Sequence, residues 1–440
     1  MTPDGTGAPA VPYPDSWYSR TTDGAEPRPP AEGVIAAEVA VIGAGLAGLT
    51  CARELAVAGR TVVLVDAGCV GHGASGRNGG FVTPGWACGQ EALVRRAGAD
   101  AAEALFRLSI AGMDYVRARA IESGDPSVGL RNGVMHVRRV PGGNLRAEGE
   151  ELARRYGYAT EYLDTAAVRE RCLTRKYWEG LRSDRGFTIH PLNYVRALAR
   201  EAEARGARIH EQSPVQELAR TRRGYVLTTP RARIIADHVV IATGGYTGAL
   251  VPRLRAGYVP VATYVMASAD DPDLLATAIR TGDGIGDNRR AGDYYRLIEG
   301  GRRLLWGGAI TVRDRAPAGV AAYLRRGMID TYPQLAPLRF DVAWSGWMSY
   351  ARHKMAQVGQ LGPGLWHCTA FGGHGLNTTA AGAIAVADGI MDRGDDLRLF
   401  APFGLDWAGG PLGRAAAQST YWFLQWRDAR DEARAESAAP

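Results

Sequence analysis

Gly43-Ala44-Gly45-Leu46-Ala47-Gly48 comes directly after the apolar run Val34–Ile42 and opens a helical pattern through Leu49, Ala52, Leu55 and Ala56 to a stop at Gly59. A second apolar run, Thr61–Val65, ends at Asp66, 23 residues past Gly43. Strand, glycine turn, helix, strand and terminal acid are together the pattern that binds a dinucleotide. Gly43 permits the tight turn, Gly45 leaves room for a pyrophosphate, and Gly48 lets helix and strand approach. The helix start, at Leu46 and Ala47, offers unpaired N–H groups and a partial positive charge to the phosphates. Asp66, with Ala67 beside it, is suited to accept hydrogen bonds from a ribose diol.

The residues after Asp66 separate a nicotinamide from a flavin. Cys69–Gly80 reads CVGHGASGRNGG, a loop of small residues where a nicotinamide domain usually enters another helix–strand repeat. It suits a flavin enzyme, in which the backbone passes close to pyrophosphate and isoalloxazine. Ala74, Ser75, Gly76, Arg77, Asn78 and Gly79 are therefore candidate FAD contacts, Ser75 toward phosphate oxygens and Arg77 toward phosphate or flavin. Later segments fit the same layer. Arg208–Val215 reads as a parallel strand after the helical stretch Leu192–Arg205, with Val215 touching adenine through its backbone. Arg233–Ala242 is a strand ending in Ala242-Thr243-Gly244-Gly245. Leu365–Thr369 leads into Phe371-Gly372-Gly373-His374-Gly375 and a helix over Leu376–Met391, adding Gly373, His374, Gly375, Leu376 and Asn377 to the candidates.

The elements that must position these residues are those of an ordinary globular protein. The chain has 440 residues, 46% hydrophobic and 22% charged, enough for two or three domain-sized cores. No apolar run approaches the roughly 20 residues of a membrane helix, so no membrane span is expected. Five cysteines without CxxC spacing point away from zinc and disulfides and toward a reducing, cytoplasmic compartment. A net charge of +6, with basic and acidic residues interspersed, gives no nucleic-acid arm. Lys176 and Lys354 are the sole lysines among 52 basic residues. His72, His136, His190, His210, His238 and His367 show no ligand spacing, and no metal is expected. Met1–Pro30, rich in Pro, Gly, Asp and Thr, reads as an extended lead-in, and the charged tail after Trp426 as a frayed helix. Oligomeric state is not legible.

GAGLAG with Asp66, ASGRNGG (Ala74–Gly80), ATGGYT (Ala242–Thr247) and FGGHG (Phe371–Gly375) resemble the D-amino-acid oxidase superfamily of FAD enzymes. Further likeness lies in DYYRL (Asp293–Leu297), RLLWGG (Arg303–Gly308), TYPQL (Thr331–Leu335), AWSGW (Ala343–Trp347) and AQVGQLG (Ala356–Gly362). Within the superfamily the chain is most similar to gamma-glutamylputrescine oxidase-like amine and amino-acid oxidases, over about Tyr13 to Trp426. The resemblance implies an α/β fold. A Rossmann-like FAD-binding domain of the glutathione-reductase type (34–86, 178–250 and 356–393) interleaves with an α+β substrate domain on a mixed sheet (87–177 and 251–355). Residues 1–33 would lead in and 394–440 would wrap the C-terminus. The expected substrate-domain strands include Gly133–Val140, Tyr258–Ala267, Tyr294–Ile298, Arg303–Gly308 and Val342–Met348. The implied reaction oxidises the C–N bond of a small amine or amino acid by hydride transfer to flavin N5, with O2 reduced to hydrogen peroxide.

Departures shape the expectation. Where the sarcosine-oxidase branch has a carboxylate-binding Lys three residues after the turn histidine, this chain has Asn377. The strand Leu304–Gly308 lacks that branch's oxygen-activating Lys, and its covalent flavin Cys falls near Trp347, so non-covalent FAD is expected. Ala356 stands where many relatives have Pro. His374 is expected beside the flavin, as a dipole-end residue or a simple turn cap. Tyr350, Arg352, His353 and Lys354 are read as a loop passing near the flavin. There Arg352 or Lys354 binds a carboxylate, Lys354 assists oxygen, or the loop is merely solvated. Tyr294 and Arg296 share one strand face, toward either the cavity or sheet packing, and Trp344 and Trp347 wall the cavity or pack in the core. Two other readings are a dehydrogenase of the same fold using a quinone or carrier, and a non-catalytic flavin protein.

Overall fold

The computed structural model describes residues 13–22, 27–289, 292–312 and 317–437, with side chains from 319 onward in the last segment. Much of the expected lead-in (1–12 and 23–26) lies outside the described residues. Its described part is not wholly extended: Ser16 caps a helical turn, Trp17–Arg20, through a reciprocal bond with Ser19.

Two sheets organise the chain. The first runs in the order Gln357–Gly362, Leu365–Thr369, Ala232–Ile241, Gly33–Ile42, Val62–Val65, Arg208–His210. Its inner neighbours are parallel, with Ile42 opposite both Val65 and Ile241. The apolar run at Val39–Ile42 has this cause: the strand is central and buried on both faces. Helices Leu46–Val57, Pro191–Ala204 and Gly375–Ile390 pack together over one face. The hairpin Glu217–Thr221/Gly224–Thr228 adds to strand Ala232–Ile241, and Tyr225 and Leu227 join the core on the other face.

The second sheet is mixed, in the order Phe340–Ala351, Tyr258–Ser268, Arg303–Thr311, Tyr294–Ile298, Gly284–Asp287, Arg131–Arg138, Glu179–Thr188, Phe81–Val82. Gly284–Asp287 and Arg131–Arg138 pair in parallel, and the remaining neighbours are antiparallel. Tyr295 stacks on Trp306 at 4.2 Å and its hydroxyl meets those of Tyr177 and Tyr332 in the core beneath.

Three expectations are corrected. The strand expected over Arg208–Val215 ends at His210, because Glu211 turns inward to take the Val70 N–H and Val215 falls in the following loop. Strand Glu179–Thr188 and the short Phe81–Val82 belong to the mixed sheet, so sheet membership crosses the boundaries drawn at 86 and 178. Helix Ala99–Glu122 packs on Gly375–Ile390, where Gly112 lies under the Asn377 carbonyl, and so shares the nucleotide-side core. The tail also differs. Helix Gly410–Ser437 docks on the substrate domain rather than fraying, with Glu432 buried against Arg139 (2.9 Å) and the exposed Glu436 paired with Lys176 (2.7 Å).

Two buried histidines hold the frame in neutral form. His190 caps helix Pro191–Ala204, its Nδ1 accepting the Asn193 N–H at 3.1 Å, and desolvation by burial brings it down to about 3. His367, inside strand Leu365–Thr369, falls to about 4 for the same reason. A depressed folded value means that the unfolded chain takes up the proton first as the pH falls below 6.5. Their contribution is therefore complete above about pH 6.5 and lost toward pH 4 for His367 and pH 3 for His190. Urea unfolding across this window is expected to lose stability with falling pH, by about 1.4 kcal/mol per pH unit per histidine. The His367→Asn variant is expected to have a shallower slope.

Candidate active site

The parallel strands end beside one face of the mixed sheet, and a cavity of about 730 Å³ runs between the two. Its first section is built by the glycine turn. Gly43 adopts φ +113°, and a Cβ there would sit 2.6 Å from the Ala242 carbonyl oxygen. A Cβ on Gly48 would lie 1.9 Å from the Gly43 carbonyl oxygen, so no larger residue fits. Helix Leu46–Val57 thus starts at the cavity wall, where its first N–H groups have no partner within the helix. Ser75 Oγ takes the Leu46 N–H at 3.0 Å. Asp66 accepts the Ala44 and Gly68 N–H groups, each at 2.7 Å. Burial raises its pKa, and those two bonds oppose the rise. Each carboxylate oxygen keeps a second acceptor site, enough for a diol.

The far section meets the mixed sheet. His374 precedes helix Gly375–Ile390, and its Nε2 lies 2.9 Å from the Thr83 carbonyl oxygen, so this nitrogen donates and Nδ1 remains an acceptor. Burial lowers its pKa, keeping the ring neutral. Desolvation by the surrounding protein likewise brings His72 and His136 down to about 4. Tyr294 and Tyr350 are raised by burial and stay phenols. Ala309 and Ala370, on or beside the wall, adopt φ +58° and +59°, a left-handed conformation that costs a non-glycine residue about 1–3 kcal/mol and clusters at functional sites.

Among the sequence candidates, Gly43, Gly45, Leu46, Ala47, Asp66, Ala67, Ala74, Ser75, Asn78, Gly79, Val215, Ala242, Thr243, Gly244, Gly373, His374, Gly375, Leu376 and Asn377 line this cavity, as do Tyr294 and Tyr350. Asn377 is committed, donating from Nδ2 to the Ser109 carbonyl at 3.0 Å. Others stand behind the wall. Gly48 is the helix–strand contact, and Gly76 sits against the Gly71 carbonyl and the Tyr13 hydroxyl. Arg77 is not on the cavity wall: its Nη1 donates to the Ser345 carbonyl at 3.4 Å, and its own carbonyl accepts Trp344 Nε1 at 2.9 Å. Arg296 donates to the carbonyls of Gly79 (3.1 Å) and Ile189 (2.7 Å), bracing the loop rather than entering the cavity. Arg352 and Lys354 are corrected outright. Strand Phe340–Ala351 runs on past Tyr350, so the turn beyond it carries both side chains into solvent. Trp347 lines the cavity, whereas Trp344 packs in the core.

Sequence reasoning does not single out Thr83, His136, Thr263, Asp287, Asp293 and Ile310 as site residues, yet all lie on the wall. His136 carries a usable signal, since it alternates with the core residues Met135 and Val137 on one strand. Thr263 lies mid-strand at a register shift, and the rest come from loops and strand ends that only the packed sheet brings together.

The chain matches the family described as FAD dependent oxidoreductase (DAO) over residues 38–389. It belongs to that family and is an FAD-dependent oxidoreductase. It is 29% identical over 380 residues to the probable oxidoreductase OrdL of Haemophilus influenzae, covering 84% of this chain and 86% of the relative. It is 29% identical over 384 residues to the gamma-glutamylputrescine oxidoreductase of Escherichia coli, covering 86% and 89%. Among solved structures, glycine oxidase from Geobacillus kaustophilus superposes with a TM-score of 0.67 at 21% identity, over 84% of this chain and 99% of that one, and shows the shared fold.

The cavity fits an FAD on its own geometry. Two helix N-termini and Asp66 are set along it, and Gly45, with Ser75 Oγ 2.9 Å from where its Cβ would be, leaves a cradle that a side chain would fill. Thr369 Oγ1 and His72 Nδ1, both on lining residues, are buried without partners. Among the described residues no group of three or more His, Cys, Asp or Glu could hold a metal, and no helix is long and apolar enough to cross a membrane. Gly48→Ala is expected to push the helix off the Gly43 carbonyl and leave the purified protein without the flavin band at about 450 nm, with flavin content per chain as the measurement.

Proposed function

We propose that the protein oxidises a C–N bond of a small amine or amino acid, with FAD held non-covalently and O2 as the electron acceptor. The observation that carries this reading is the continuity of one cavity, from the Gly43–Gly48 turn and Asp66 to a wall of His136, Thr263, Tyr294 and Tyr350 on the mixed sheet. When bound, FAD supplies the acceptor for a hydride from the carbon beside the amine and passes the electrons to O2, giving hydrogen peroxide and an imine that hydrolyses.

The chain's own residues do the rest. The N-terminus of helix Gly375–Ile390 presents a partial positive charge to the cavity and favours negative charge developing there. Ile310, Trp347, Met348 and Phe371 make the wall apolar and keep water from the reacting carbon. Neutral His374 holds the helix start to Thr83. Cys368 on the wall has its thiol pushed far up by burial, so it is a poor nucleophile for a flavin link. The five cysteines are all unpaired, which supports a reducing, cytoplasmic setting. Similarity to a gamma-glutamylputrescine oxidoreductase supports an amine as substrate.

Anaerobic mixing of the yellow protein with putrescine, gamma-glutamylputrescine, sarcosine, pipecolate and the common amino acids is expected to bleach the flavin with at least one of them. Readmitted air is expected to restore the colour with one peroxide per flavin reduced. Bleaching by none of them overturns the reading, and slow recovery in air with fast recovery on added quinone makes the enzyme a dehydrogenase. Arg352→Ala and Lys354→Ala are each expected to leave KM and kcat for the reacting compound within about twofold, as for surface substitutions elsewhere.

A further inference from the structure

We propose that His136 receives the substrate's amine, accepting a hydrogen bond from its N–H, and that the wall around it selects a cationic amine over an α-amino acid. The inference rests on the C–N oxidation reading and narrows its substrate class.

The placement comes from the strand. Met135 and Val137 point into the core of the mixed sheet, so His136 emerges on the opposite face, in the cavity. Its neighbour across the parallel pairing is Gly286, where a Cβ would come within 3.6 Å of the ring, so the imidazole has free space beside it. Its other neighbour, Leu181, carries no charge. Neither ring nitrogen of His136 has a partner among the described residues. Of the other two imidazoles of the cavity, His374 is tied by Nε2 to the Thr83 carbonyl, and His72, whose Nδ1 is without a partner, packs edge-on between Tyr13 and Tyr246 on the loop after Asp66.

Charge gives the selectivity. The His136 ring is open to the cavity, and the protein around it, then the nearby His374, lower its pKa to about 4, so as a neutral ring it accepts a hydrogen bond from an ammonium without repelling it. Asp287, one residue beyond Gly286, and Asp293 line the same end, while no Arg or Lys side chain lines the cavity among the described residues. Arg289 is drawn off by both carboxylates, at 2.6 Å each. An α-carboxylate entering here finds no free guanidinium or ammonium among the described residues to bind it, whereas an ammonium finds a free acceptor in His136.

The test compares wild-type holoenzyme with His136→Leu and His136→Gln, using putrescine and gamma-glutamylputrescine as amines and glycine, sarcosine and D-alanine as amino acids. Wild type is expected to prefer an amine in kcat/KM. Loss of a hydrogen bond to a charged group in His136→Leu is expected to raise KM for that amine by about tenfold or more, with kcat changed less and flavin content and Tm unchanged. His136→Gln, which keeps an acceptor, is expected to stay within about threefold of wild type. A His136→Leu KM within about twofold of wild type, or preference for an amino acid, overturns the inference while leaving C–N oxidation standing. Should His136→Leu fail to fold, the imidazole 15N signal of wild-type His136, assigned by its loss in His136→Gln, is followed in the reduced anaerobic holoenzyme as putrescine is added. Movement to saturation supports the contact, and an unmoved signal overturns it. Flavin reduced by no compound of either class overturns the function reading itself.

Discussion

The approach of Gly48 to the Gly43 carbonyl oxygen governs the nucleotide half of the molecule. With only 1.9 Å between that oxygen and the position of a Cβ, the helix begins directly at the strand end and is aimed at the cavity. Gly43 in turn lies on the Ala242 carbonyl, which sets the second glycine turn beside the first. The parallel register of Ile42 with Val65 and Ile241 then brings Asp66 and Thr243 to the same edge. A parallel sheet concentrates its ligand-facing loops at the carboxyl ends of its strands. Here a few backbone contacts between glycines decide how close those loops come to one another.

The other half of the cavity is held from a distance. The Asp287 side chain is fully buried and pairs with Arg289 at 2.6 Å, and Arg139, also buried, reaches Glu432 at 2.9 Å and Asp330 at 2.8 Å. Glu432 belongs to the C-terminal helix, so the acidic end of the cavity is tied to the last element of the chain. Such a network gains little over an apolar core of the same shape, but removing one member leaves a buried charge unpaired, at a cost of about 3–5 kcal/mol. Its value is positional: the carboxylates of Asp287 and Asp293 stay where the guanidinium groups hold them.

Legibility in the sequence tracks locality. The turn Gly43–Gly48, the loop Ala74–Gly79 and the turn Phe371–Gly375 are readable because their chemistry is backbone chemistry, encoded by glycine at fixed spacing. Strand Leu365–Thr369 has the bounds that its apolar pattern predicts, and Tyr294–Ile298 has those that the resemblance implies. Arg77, Arg352 and Lys354 mislead for a shared reason. A long cationic side chain near a motif suggests a ligand contact, but its direction depends on which strand crosses behind it. Arg77 is captured by Ser345 on such a strand, and the continuation of that strand carries Arg352 past the cavity mouth. The C-terminal helix is unreadable because its partners, Arg139 and Lys176, lie hundreds of residues away in sequence. The resemblance supplies the family and the two-domain scheme, and packing supplies the substrate wall.

The charge state of the cavity is set by these constraints. His72, His136 and His374 are neutral and the two tyrosines remain phenols, so positive charge at the reacting end comes from the helix start at Gly375. A guanidinium in the same position would place a full positive charge there and repel a cation throughout the cavity. The partial charge of a helix end, about half a unit, fades beyond its first turn. It therefore acts on charge developing next to the helix without reaching the opposite wall, where Arg289 already pairs with Asp287 and Asp293. Asp293, raised to about 6 by burial despite its bond to Arg289, marks how costly a carboxylate is at that depth even with a guanidinium beside it.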